Sequence, residues 1–260
     1  MMVIPMSPPS RRIEIFTLDA VPEIQPGYDL AGIIVEAAGD VSFPLKDGDV
    51  LVVAQKIVSK SEGRIVLLED VEPSAEALAL ANETGKDPRL VELILSEATE
   101  IVRSRPGLII ARHRNGWVVA NAAIDTSNAG NGGSVILLPE NADQSAKTIA
   151  ENIYKMAGTM VAVVINDSMG RAWRKGTTGT AIESYGLESL QDRRGDKDRD
   201  GMKLQSSEIA IADEVAAAGS LLMGQGAEGL PVVILRGLAW ANGNGSAVDL
   251  VRPPEQDLFR

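Results

Sequence analysis

Three short, unbroken apolar runs constrain this chain more than any other feature. They are Val50-Leu51-Val52-Val53 within residues 49–55, Val161-Ala162-Val163-Val164-Ile165, and Val232-Val233-Ile234-Leu235. Runs of this length, bounded by polar residues and rich in Val and Ile, read as strands buried on both faces. Amphipathic stretches lie between them. Residues 143–156 present Ile149, Ile153 and Met156 at helical spacing, and residues 208–223 read as the longest apolar helix. A helix over 74–84 ends at Gly85. A second opens at Asp87-Pro88 and carries Leu90, Val91, Ile94, Leu95, Ala98 and Ile101 along one face. Residues 12–18 alternate as an opening strand, and residues 107–111 and 116–120 form a hairpin around Asn115-Gly116. The mixture predicts an α+β fold with mixed sheets.

The second apolar run leads into Asn166-Asp167-Ser168-Met169-Gly170-Arg171-Ala172-Trp173-Arg174-Lys175-Gly176. A buried strand ending in a carboxylate and a hydroxyl sets two hard oxygen donors at a sheet rim, where Mg²⁺ with phosphates is commonly held. The same Asp-Ser pair also reads as a helix cap and turn. Arg171, Arg174 and Lys175 could neutralise phosphate or carboxylate oxygens beside it, or stand as surface cations beside a turn. A segment of similar character lies upstream, where the run Val118-Val119-Ala120 leads to Asp125-Thr126-Ser127-Asn128. A third, Met223-Gly224-Gln225-Gly226-Ala227-Glu228-Gly229-Leu230, ends an apolar helix in a glycine-rich loop whose backbone N–H groups can cradle phosphate. No Gly-Lys-Ser/Thr follows, so it is not a P-loop. Met169 stands where a dehalogenase-type phosphatase has its second Asp. Two carboxylates and a glycine loop together suggest a metal–nucleotide site.

The formal charge of −11 argues against nucleic acid or an anionic membrane as the main partner. An acidic chain that binds anions needs local cations, which draws notice to Lys60, Arg171, Arg174, Lys175 and Arg236. With no cysteine, disulfides, thiolate catalysis and Cys-ligated zinc are excluded. The lone His113 falls in a basic turn and reads as a surface residue. Residues 191–201 form a dense charge run, either a solvated loop or a lid. Residues 1–10 and 253–260 read as tails around a single domain over 11–252. No targeting segment or bilayer-length apolar run is visible, so the expected location is the cytoplasm.

Six separately spaced motifs recur in order: 48–53, Ile57-Val58-Ser59-Lys60-Ser61-Glu62-Gly63-Arg64, Ala123-Ile124-Asp125-Thr126-Ser127-Asn128, Asn166-Asp167-Ser168-Met169-Gly170-Arg171, Ala212-Asp213-Glu214 and Leu222-Met223-Gly224. Through them the chain resembles the coenzyme F420-0:L-glutamate ligase family over about residues 12–237. The resemblance implies a two-lobed homodimer with the nucleotide between the lobes. It also implies the activity, in which L-glutamate is joined to the terminal carboxyl of the phospholactyl deazaflavin F420-0 with hydrolysis of GTP.

Carried onto this chain, one metal site falls on Asp125 and Asp167 and a second on Ser168 and Gln225, for two Mg²⁺ or Mn²⁺ ions, with K⁺ as a further cation. GTP contacts fall on Val21, Pro22, Glu23, Ile24, Gln55, Lys56, Lys60, Asn128 and on Met223, Gly224, Gln225, Gly226, Ala227, Glu228, Gly229 and Leu230. Ser168 replaces a usual Thr, Gln225 replaces a Glu of archaeal-type members, and Glu23 occupies an apolar position. Catalytic assistance is expected of Lys60, and from chemistry alone of Arg171 and Arg174. A related carboxylate–amine ligase acting on another acid, or a nucleotide-binding protein without turnover, are the competing readings.

Overall fold

The computed structural model describes residues 12–40, 43–127, 133–239, 243 and 245–258. The expected N-terminal tail and Asn128 lie outside the described residues. The strands are β1 (Glu14–Thr17), β2 (Val50–Ala54), β3 (Ile65–Leu67), β4 (Ala98–Arg105), β5 (Leu108–His113), β6 (Val118–Ala120) and β7 (Ser134–Ile136), followed by β8 (Ala162–Arg171), β9 (Arg174–Tyr185), β10 (Gln191–Asp192), β11 (Glu208–Ile209) and β12 (Val232–Arg236). The helices are α1 (Leu30–Asp40), α2 (Gln55–Ser61), α3 (Ala75–Thr84), α4 (Pro88–Glu97), α5 (Ala142–Ala157) and α6 (Ile211–Met223). Helices and several sheets thus make up an α+β protein.

The three apolar runs are the middle of one five-stranded sheet, ordered β1-β12-β2-β8-β9. Only β2 and β8 pair in parallel; the other neighbours are antiparallel. Their continuous hydrophobicity has a simple cause. Leu51, Val53, Val163, Ile165, Val232 and Ile234 face a core that includes residues of α1, α2 and α5. Val50, Val52, Ala162, Val164, Val233 and Leu235 face a core shared with α6. Alternate side chains are buried on opposite faces, so no polar alternation survives in the sequence.

Glycine brings α6 hard against the sheet. An added Cβ at Gly219 would meet the Val52 side chain at 2.7 Å, and one at Gly179 on β9 would run into the Ala216 carbonyl oxygen. The first turn of α6 is also tied to β9. A register shift at Ile165/Asn166 frees the Ala181 N–H from the ladder, and the Asp213 carboxylate accepts it at 2.9 Å. Burial holds the Asp213 pKa above the usual carboxylate range despite that bond. Gly219→Ala is therefore expected to cost about 1–3 kcal/mol by overpacking. Urea denaturation checks it, and an unchanged midpoint would mean that the helix floats on the sheet.

A separate core gathers α3, α4, β5 and the chain around Ile124 and Leu137. Here the helix opened by Asp87 stops at Glu97, short of the expected Ile101. Residues 98–105 instead pair with β5, where Ile101 sits opposite Ala111. Thr99, Ile101 and Val102 are β-branched, and the hairpin partner rewards extension. His113 is also not a surface residue: it is fully buried beside Glu97. The helix expected from residue 208 begins at Ile211, because Glu208 and Ile209 pair with β10. Within the charge run, residues 193–201 are a chain of turns whose acids mostly hold nearby guanidiniums and amides. Among the described residues no helix is long and apolar enough to cross a membrane.

Candidate functional site

A cavity of about 620 Å³ opens beside the parallel pair β2 and β8, at the ends where their apolar stretches run out. Four segments wall it: Val21, Pro22, Glu23 and Ile24 after β1; Gln55, Lys56 and Lys60 on α2; Asn166, Asp167 and Ser168 on β8; and the loop after α6. That loop contributes Met223, Gly224, Gln225, Gly226, Ala227, Gly229 and Leu230, while Glu228 turns back over the loop itself. Gly224 has φ 71° and ψ −174°, a backbone state open essentially only to glycine, and this lets the chain leave α6 towards the cavity.

Asp167 and Ser168 do not end the strand, as the Asp-Ser turn suggested. Pairing with β9 continues to the Arg171–Arg174 hairpin tip, with one extra β9 residue, Ile182, taken up where Ile165 gives way to Asn166. Asp167 accepts the Ser168 N–H at 2.7 Å. Its pKa is nevertheless raised to about 6, because the cavity floor strips water from the carboxylate and the charge of Asp125 adds to the penalty.

Asp125 is delivered from the other core by an unusual backbone. After β6 the chain turns through Asn121, Ala122 and Ala123, all at φ between 52° and 59°. Left-handed geometry costs about 1–2 kcal/mol per residue, and the segment is held in it with Ala122 buried in the surrounding core. Asp125 then bridges Ile136, accepts from both the N–H and hydroxyl of Ser127, and pairs with Lys56 at 2.8 Å. Desolvation pushes this carboxyl up, but hydrogen bonds from Lys56 and Ser127 outweigh it and hold it below the usual range. Lys56 thus spans the two cores.

Lys60 is only 8% exposed and pairs with Glu23 at 2.6 Å across the cavity. Gln55 Nε2 and Asn166 Oδ1 are buried in the same walls without a hydrogen-bond partner. Asn166 escaped the sequence reading; its one signal was adjacency to Asp167. Arg171 and Arg174 face each other across the exposed hairpin tip and do not line the cavity. Arg236 is committed to structure: its guanidinium grips the Asp49 carboxylate at 2.6 and 2.8 Å and lies over the Phe16 ring.

Carboxylate, hydroxyl and amide oxygens are the donors here, the set that suits Mg²⁺ or Mn²⁺ shared with phosphate oxygens. The desolvated Asp167 is the group with most to gain from a cation. The described residues hold no group of three or more acidic, His or Cys ligands, so a metal at this site would draw part of its shell from a ligand or water.

Comparison with known proteins agrees with the order of the motifs. The family model described as F420-0:Gamma-glutamyl ligase matches residues 20–237. A protein of Methanothermobacter thermautotrophicus named Coenzyme F420:L-glutamate ligase is 43% identical over 95% of this chain and 99% of its own length. Proteins of the same name from Methanocaldococcus jannaschii and Methanopyrus kandleri are 45% and 44% identical, over 84% and 97% of this chain and 87% and 98% of theirs. The chain belongs to the F420-0:gamma-glutamyl ligase family.

Proposed function

We propose that this chain is a ligase that joins L-glutamate to coenzyme F420-0, with GTP as the driving nucleotide, in the cytoplasm. The observation that carries the reading is the convergence, in one cavity, of a desolvated carboxylate, a buried lysine and a glycine loop, within a chain of this family. Amide formation at a carboxyl needs the carboxyl activated, most simply as an acyl phosphate formed by its attack on the γ-phosphate of GTP, with the bond to the β–γ bridging oxygen broken and GDP leaving. The amine of glutamate then displaces phosphate.

Each wall has a role in this reading. Lys60 and the amides of the glycine loop hold the β- and γ-phosphates and draw charge towards the leaving oxygen. Asp125, Asp167 and Ser168, with the Gln225 carbonyl, would hold one or two divalent cations. Such a cation supplies neutralisation of phosphate charge that Lys56 and Lys60 alone leave unbalanced. Val21, Pro22, Ile24, Gln55, Lys56 and Asn128 complete the nucleotide contacts. Arg171 and Arg174, beyond Ser168 on the same hairpin, meet the anionic end of the acceptor or the glutamate carboxylates. A homodimer and a role for K⁺ belong to the same family reading.

The test is phosphate release from GTP, with product mass measured in parallel. Release should require F420-0 and L-glutamate together and yield the glutamyl adduct. Turnover only with a different acid would point to a related carboxylate–amine ligase. GTP binding without turnover under any acceptor would point to a binding protein.

A further inference from the structure

The groups best suited to bind phosphate in this cavity are already engaged by the chain's own carboxylates. Lys60 Nζ sits 2.6 Å from Glu23 Oε1, while the Glu23 side chain is 73% exposed and makes no other polar contact among the described residues. On the opposite wall the Gly226 N–H donates to Glu228 Oε2 at 2.7 Å. The Glu228 carboxylate also lies directly over Gly224, in space that only a glycine leaves open. Hydrogen bonds from its own N–H and those of Gly226 and Gln225 lower its pKa. The loop amides therefore already bind an anion, and that anion is Glu228.

We infer that Glu23 and Glu228 are internal counter-ions that hold Lys60 and the glycine-loop amides until a polyphosphate displaces them. The inference rests on the reading of this cavity as a nucleotide site. Its physical basis is competition. A ligand that binds only the released state has its affinity multiplied by the fraction of molecules in that state, and so reduced. Both carboxylates are tethered and sit at high local concentration, so each lowers the apparent affinity of a free anion for the group it covers. They also keep the cavity from carrying bare cations and unsatisfied amides when empty. The chain then sets its own nucleotide affinity by how firmly two side chains hold their places.

The experiment is titration calorimetry of the full chain with Mg²⁺-GTP and, separately, with inorganic tripolyphosphate. The variants are Glu23→Gln, Glu228→Gln and the double variant, with Glu62→Gln as control. Glu62 carries the same charge two residues beyond Lys60, outside the cavity, held by Ser145. Each cavity variant is expected to bind both probes about three- to tenfold more tightly, with the two gains multiplying in the double variant. Glu62→Gln should leave affinity unchanged. Weaker binding by either cavity variant would make that glutamate a ligand contact and overturn the inference, as would unchanged binding. An equal gain in Glu62→Gln would reduce the effect to net charge and overturn it too. If tripolyphosphate binds and tightens while GTP never binds, the counter-ion inference stands and the nucleotide reading falls. If no protein binds either probe, both fall.

Discussion

Asp167→Asn is expected to lower ligation more than about a hundredfold and, at the same time, to make the ligand-free protein more stable at neutral pH. Losing an outer partner of a metal ligand costs about 10–100-fold, so losing the anionic ligand itself should exceed that. The stability gain follows from the raised pKa. The unfolded carboxyl ionises near 3.8, the folded one only near 6, because burial strips its hydration and Asp125 repels it. Protonation favours the folded state in this interval. As pH rises from about 4 to about 6 the folded state loses up to about 3 kcal/mol relative to a neutral side chain. Asn keeps the shape and can still accept the Ser168 N–H, but carries no charge to desolvate. Melting curves from pH 3.5 to 8, with and without Mg²⁺, are the measurement. The variant should melt higher than wild type above pH 6, match it near pH 3.5, and lose the Mg²⁺-dependent rise. Near-wild-type activity at low Mg²⁺, or a lower melting temperature at pH 7, would make Asp167 a structural hydrogen-bond acceptor and not a ligand. Asp125→Asn should lose activity without the stability gain, since Lys56 and Ser127 already hold that carboxylate.

That difference between two similar-looking aspartates could not be read from sequence. Both follow an apolar run and both precede hydroxyl residues, and the pattern says only that each stands near a sheet rim. What separates them is tertiary. One faces a lysine brought by α2 from the other core, and the other faces a cavity floor. The central strands were legible because their burial on both faces leaves an unbroken apolar run, whereas β9 was not. Its outer half, Arg174-Lys175-Gly176-Thr177-Thr178-Gly179, is polar and glycine-containing, and is a strand because β8 pairs with it. Helix α1 was hidden for a different reason: Gly32, Gly39 and the β-branched Ile33-Ile34-Val35 depress local helix preference, and packing restores it. Within the loop after α6 the glycines were legible. Occupation of their amides by Glu228 was not, because it depends on a side chain folding back over two residues.

The second large effect is expected from Glu97→Gln, far from any apolar-run signal. Glu97 closes α4 and is met by three basic side chains: Arg64 at 3.0 Å, Arg114 at 3.0 Å and His113 at 3.5 Å. His113 Nδ1 accepts the Asn115 N–H, which places the ring proton on Nε2, towards the carboxylate. Arg64 also donates to the Leu138 carbonyl, and through Glu97 at the end of α4 the cluster ties the chain just after α2 to the core that carries Asp125. Burial pushes the Glu97 pKa up, but the nearby His113 Nε2 and the charges of Arg64 and Arg114 outweigh it, and the carboxyl stands below its ordinary value. A depressed carboxyl contributes stability above its unfolded pKa and loses it as pH falls through the folded one. Glu97→Gln leaves two guanidiniums facing a neutral amide and should cost about 2–4 kcal/mol at pH 7, towards the lower part of the range for a broken buried pair because both arginines keep some water. The deficit should shrink below about pH 4.5, where wild type begins to lose the same charge. Urea midpoints at pH 7 and pH 4 decide it. Equal midpoints at pH 7 would show that the arginines find water as good a partner, and the two cores would then be joined through Lys56 and Asp125 rather than through Glu97.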